Sequence, residues 1–154
     1  MTRYEGLLIK AEKEGVEVLE IDLGTNKKCG KCINNIIIIN KNLSNKEKHE
    51  LLAEELGHYY KTFGDITDQS KIENRKEELK ARRKGRKLIL EPLDLVYAFR
   101  CGCNNIYEMA DFFEITEKEL NEIVKDFRKQ YGLGKKFDKY FITFEPNLGF
   151  CKIF

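Results

Sequence analysis

The sequence lacks any apolar run approaching the roughly 20 residues that a membrane-spanning helix needs. Its opening, Met1-Thr2-Arg3-Tyr4-Glu5, carries no apolar signal-peptide core. Charge of one sign is also missing: 28 Lys and Arg stand against 26 Asp and Glu, a net charge of +2, so no global field draws the chain to nucleic acid or to a membrane surface. There is no internal repeat, low-complexity tract or long linker. These absences predict a cytoplasmic protein that does not bind membranes. In that reducing compartment an odd count of five Cys reads as thiols or metal ligands rather than disulfides.

What is present is a chain of 154 residues, enough for one ordinary domain with a real core. Capping boxes of the form Ser/Thr-x-x-Glu punctuate it at Thr2–Glu5, Ser44–Glu47, Ser70–Glu73 and Thr116–Glu119. The first predicts a helix to about Glu14, ended by Gly15. Residues 16–21 then read as a strand, and Ile36-Ile37-Ile38-Ile39 as a buried strand too short for a helix. Between them a turn-rich stretch, 24–35, predicts a hairpin-like excursion. The second box opens a helix with a core stripe at Leu52, Leu56, Tyr59 and Phe63 and a stop at Gly64. The third opens a basic helix that ends before Pro92 and carries Arg75, Lys76, Lys80, Arg82, Arg83, Lys84, Arg86 and Lys87. Helices over 93–100, 107–113 and 117–130 follow, the last two resembling a helix-turn-helix around Glu114-Ile115-Thr116. Residues 137–154 read as a β-hairpin turning through Glu145-Pro146-Asn147-Leu148-Gly149.

The pentapeptide Glu54-Glu55-Leu56-Gly57-His58 carries the chemistry. It has the shape of the zinc-peptidase motif H-E-x-x-H, with Glu in place of the first His. A helix brings residues i and i+4 to one face, where both ligate one metal, and the residue after the first ligand is the general base for the attacking water. Glu54 and His58 take the ligand positions and Glu55 the base, on a face distinct from the core stripe. A catalytic zinc site usually has three protein ligands. The third candidate is Glu78 on the basic helix, followed at i+3 and i+7 by Ala81 and Gly85, small enough to let that helix approach closely. Two carboxylates and one imidazole form a harder set than His-His-Glu. Such a set predicts weaker zinc binding, a less acidic bound water, and more favour for Mn²⁺ or another divalent ion. The bland alternative is a pair of solvated helix carboxylates beside an ordinary His.

Weaker signals surround the motif. His49-Glu50 has Ala at position 53, so no i+4 ligand follows, and His49 reads as a surface or edge side chain. Tyr59 and Tyr60 are core candidates, one of which could instead line the cleft and contact a tetrahedral intermediate. Cys29-Gly30-Lys31-Cys32 and Cys101-Gly102-Cys103 offer four thiolates, enough for a second, structural zinc site if they meet. The alternative is free thiols, with Cys151 packed in the last strand. The basic helix could contact phosphate. It could equally be a solvated face offset by Glu73, Glu77 and Glu78. No aromatics interleave with it, and the second helix of the helix-turn-helix-like pair is acidic, so nucleic acid is not the expected partner.

Over nearly its whole length the sequence resembles the ImmA/IrrE family of metallopeptidases, common in phages and integrative elements of Gram-positive bacteria. The resemblance rests on Arg3-Tyr4-Glu5, the 36–43 segment, Ala53-Glu54-Glu55-Leu56-Gly57-His58-Tyr59-Tyr60, the 64–70 segment, Asn74-Arg75-Lys76, Glu78-x-x-Ala81-Arg82 and the 105–110 segment. It implies a zinc-dependent endopeptidase that cleaves a helix-turn-helix repressor encoded nearby. Glu54, His58 and Glu78 would be the ligands and Glu55 the general base. Glu54 stands where the family pattern has His. A pseudo-peptidase that binds its partner without cutting it, as an antirepressor, is the alternative function. The fold expected is α+β: one zincin-like, mainly helical domain over 1–154. It comprises a metal-site core at 1–91 with a short N-terminal sheet, a helical, helix-turn-helix-like subdomain at 92–131, and a β-hairpin at 137–154.

Overall fold

A computed structural model of the chain describes residues 1–61 and 72–153. The expected capping box at Ser70–Glu73, the core position Phe63, the stop at Gly64 and the 64–70 segment lie outside the described residues. The backbone is mixed α/β and divides into two compact units, Met1–Ile89 and Leu90–Phe154.

In the first unit, helix α1 (Arg3–Lys13) begins with the full capping box of Thr2 and Glu5. Strands β1 (Glu17–Ile21), β2 (Gly30–Ile33) and β3 (Ile36–Asn40) form a sheet in the order β1-β3-β2. β1 runs parallel to β3, and β2 pairs antiparallel with it through a tight turn in which Asn34 takes a left-handed φ of 54°. Ile37 and Ile39 on β3 are fully buried, while Ile36 and Ile38 alternate to a half-exposed face, the period-2 pattern of a sheet covered on one side. The fully buried Asn40 ends β3. Its amide donates to the carbonyls of Thr25 and Lys27 at 2.7 and 3.0 Å, tying down the loop between β1 and β2.

Helix α2 (Asn45–Lys61) is capped reciprocally: the Glu47 amide donates to Ser44 Oγ at 3.2 Å, and the Ser44 amide donates to the Glu47 carboxylate at 3.3 Å. It packs on α1, on β2 and β3, and on helix α3 (Ile72–Arg86). This packing corrects one expectation. His49 is buried, not at the surface, because its turn of α2, with Glu50, Leu51, Leu52 and Ala53, is enclosed by these neighbours. Glu50, buried as well, is neutralised by Lys28 at 2.9 Å.

The second unit holds helices α4 (Pro92–Arg100), α5 (Ile106–Phe113) and α6 (Glu117–Tyr131), with α5 ending at Glu114 in the left-handed conformation. Its core centres on Leu95, Phe113, Ile115, Leu120, Ile123, Ile142 and Phe144. The chain end is a three-stranded antiparallel sheet, β4 (Gly134–Phe137), β5 (Tyr140–Thr143) and β6 (Gly149–Lys152), rather than a hairpin alone. β4 escapes a reading by alternation because its centre is Lys135-Lys136. Its pairing is fixed by the two-residue turn at Asp138-Lys139, with Asp138 at φ 52°.

Candidate metal centre

Two helices build the site. α2 presents Glu54, Glu55 and His58; α3 presents Glu78. The helices touch backbone to backbone. A Cβ placed on Gly57 would lie 2.1 Å from the Ala81 carbonyl oxygen and 2.7 Å from the Gly85 nitrogen. One placed on Gly85 would lie 2.3 Å from the Ala53 carbonyl oxygen. With Ala81 fully buried at the same contact, three small residues set the spacing that lets a carboxylate on α3 reach an imidazole on α2.

One ligand atom each from Glu54, His58 and Glu78 lies within 4.8 Å of the others, and all three side chains are half-buried. His58 Nε2 is 3.2 Å from Glu78 Oε1. Two ligands of a tetrahedral zinc, each at about 2.0–2.1 Å, stand about 3.3 Å apart, so this edge is already at coordination spacing. The same separation also serves an imidazole–carboxylate ion pair. That pair, however, leaves the remaining carboxylates in each other's field. Glu55 is 8 % exposed and its pKa is pushed up to about 7, first by burial and then by the charges of Glu54 and Glu78. A divalent cation among these carboxylates would relieve that repulsion, and the O,N,O donor set fits zinc or a harder ion such as manganese.

Other residues singled out from sequence fall as follows. Tyr59 is half-buried, with its ring 5.8 Å from that of Tyr60. The Tyr60 hydroxyl donates to the Glu14 carboxylate at the end of α1, so its polar end is engaged there. Lys84 Nζ stands 6.0 Å from the centre of the Tyr60 ring. Cys29 and Cys32 belong to the first unit, Cys101 and Cys103 to the second. Among the described residues no cysteine joins the metal-binding group. Cys151 is exposed on β6 rather than packed.

Sequence reasoning did not connect two neighbours to this site. Cys32 on the edge strand β2 feels Glu55: its thiol is pushed up by burial first and by the Glu55 charge second. Arg82, one turn beyond Glu78, brings its guanidinium to 3.8 Å from Glu78 Oε1 while 43 % of its side chain stays exposed. The spacing i,i+4 on a helix could have flagged the second.

The family described as Peptidase_M78, IrrE N-terminal-like domain, matches residues 11–122, which include all four site residues. No curated protein and no solved structure matches the chain.

Proposed function

Because the chain belongs to the IrrE N-terminal-like family of metallopeptidases, we propose that it is a metal-dependent endopeptidase with its centre at Glu54, Glu55, His58 and Glu78. The observation that carries this reading is the meeting of two α2 side chains and one α3 side chain within 4.8 Å, beside a buried carboxylate.

Glu54, His58 and Glu78 would hold a divalent cation, zinc or manganese. Bound there, it would polarise the scissile carbonyl and acidify water. Glu55 is the proton carrier. Buried next to the ligands, it takes a proton from the attacking water and returns it to the departing amine. Without a cation, burial and then the charges of Glu54 and Glu78 push its pKa up to about 7. Cation binding would lower this value, so the carboxylate is ready to act as base when the site is loaded. The substrate in this reading is a helix-turn-helix repressor of a phage or mobile element, held by the helical second unit, within the cytoplasm. The family resemblance, which extends over the 105–110 segment, supports it.

Glu54 in the first-ligand position favours one competing reading, a partner-binding protein with weak or no turnover. Elemental analysis of full-length protein purified without chelator or metal-affinity resin, paired with His58→Ala, tests the centre. About one equivalent of zinc or manganese, lost in the variant, is expected. A site that takes up no metal even after reconstitution would overturn the peptidase. With metal in place, a Glu55→Gln protein that still relieves repression as well as wild type would favour binding without cleavage.

A further inference from the structure

From Arg75 to Lys87 the chain carries eight Lys or Arg against Glu77 and Glu78 alone, although the whole protein is nearly neutral. This stretch is also the helix that supplies the third candidate ligand. Arg82 is its closest link to the centre, since its guanidinium approaches the carboxylate oxygen that also faces His58. A peptide laid against the site therefore meets a cation within one side chain of the ligands.

We propose that Arg82 reads an acidic side chain of the substrate next to the bond that is cut. The proposal rests on the peptidase reading above and adds a substrate class to it, a segment bearing Asp or Glu beside the scissile bond. Glu54, Glu55 and Glu78 would by themselves repel such a segment. A cation on the ligands offsets part of that charge. It would also compete with Arg82 for the Glu78 carboxylate, so that the planar, two-pronged guanidinium could take an incoming carboxylate instead. A nucleic acid fits less well. Arg82 is the α3 cation that lies against a candidate ligand, and no aromatic side chain alternates with Arg75 to Lys87 for base stacking.

The test uses the metal-loaded full-length protein and a mixture of short peptides covering all residue types, with cut sites mapped by mass spectrometry. Asp or Glu is expected to be enriched within two residues of the cut. In the best peptide, replacing that Asp by Asn should raise KM more than it lowers kcat, by about fivefold for a half-exposed ion pair worth ~1 kcal/mol. The penalty should vanish in Arg82→Gln and partly return in Arg82→Lys, with metal content measured in each to show that the centre is intact. Equal acidic preference in wild type and Arg82→Gln, or no acidic preference at all, overturns the proposal.

If no peptide is cut, the same question is put to binding. A fluorescein-labelled Glu decapeptide should bind the metal-loaded protein at least about fivefold tighter than its Gln counterpart, and Arg82→Gln should erase the difference. Equal binding overturns the proposal, as does tighter binding of a 20-nucleotide DNA than of the Glu peptide. Failure of the peptidase reading would show separately, as absent cleavage together with an absent metal.

Discussion

Gly57→Ala is the substitution whose effect follows most directly from the geometry. At an open helical position, replacing Gly by Ala stabilises by up to about 1 kcal/mol. At Gly57 the added Cβ would sit 2.1 Å from the Ala81 oxygen, 2.7 Å from the Gly85 nitrogen and 3.0 Å from its Cα. All three atoms are backbone, so no side chain can swing aside. Ordinary contacts with a carbon begin near ~3.5 Å, so α2 and α3 must separate by roughly 1 Å. Overpacking of this kind costs about 1–3 kcal/mol, and a contact this short belongs at the upper end. The helix-propensity gain returns part of that, leaving a net loss of about 2 kcal/mol. Glu78 rides on α3 and moves with it, so metal affinity should fall by roughly 10–100-fold, as when a supporting shell is disturbed. Gly6 on α1 is the control. Nothing lies within 4 Å of its virtual Cβ, so Gly6→Ala should hold or raise stability and leave metal binding alone. Urea unfolding at constant m and a chelator competition read the two effects. If Gly57→Ala is as stable as wild type and binds metal equally well, α2 and α3 do not meet as described and the construction of the centre fails.

Glu55→Gln should retain metal yet lose about 10²–10⁴-fold in kcat, which is checked by assaying a cleaved peptide beside elemental analysis. In metal-free protein the raised pKa of Glu55 means that the native state binds its proton more tightly than the unfolded chain. Its contribution is therefore fully present below pH 4.5 and is lost as pH rises through about 7, by up to ~3 kcal/mol. Denaturant midpoints across that window, taken in chelator, should show the decline in wild type and a flatter profile in Glu55→Gln. Glu54→His should tighten zinc binding and shift metal choice from manganese toward zinc, read by competition between the two ions; unchanged selectivity would mean that position 54 is not a ligand.

Local rules made parts of this molecule legible and left others hidden, for identifiable reasons. The capping boxes at Thr2 and Ser44 are closed within four residues, so sequence alone places the starts of α1 and α2. The turn at Glu114–Thr116 is equally local. The grouping of Glu54 with His58 follows from helical periodicity. The reach to Glu78 was legible only because Ala81 and Gly85 signal a close helix contact, and Gly57, inside the motif itself, is the other half of that contact. Burial of His49 could not be read this way. It depends on neighbouring elements packing around α2, and a polar side chain gives no apolar stripe to announce it. β4 is hidden for the related reason that its pairing, not its composition, makes it a strand. The influence of Glu55 on Cys32 arises where β2 packs on α2, two elements with no shared periodicity.

The glycine contact has a consequence for charge as well as for shape. By bringing α3 onto α2, it adds Glu78 to the pair already present at Glu54 and Glu55, and so concentrates three carboxylates where burial has weakened solvent screening. A fold would gain nothing from that concentration as mere packing, since each ionised carboxylate destabilises the others. Arg82 at 3.8 Å offsets only one of them, and from a side chain that is 43 % exposed. A proton on Glu55 or a cation among the ligands would each relieve that repulsion, and it is the second that the donor set at Glu54, His58 and Glu78 is placed to receive.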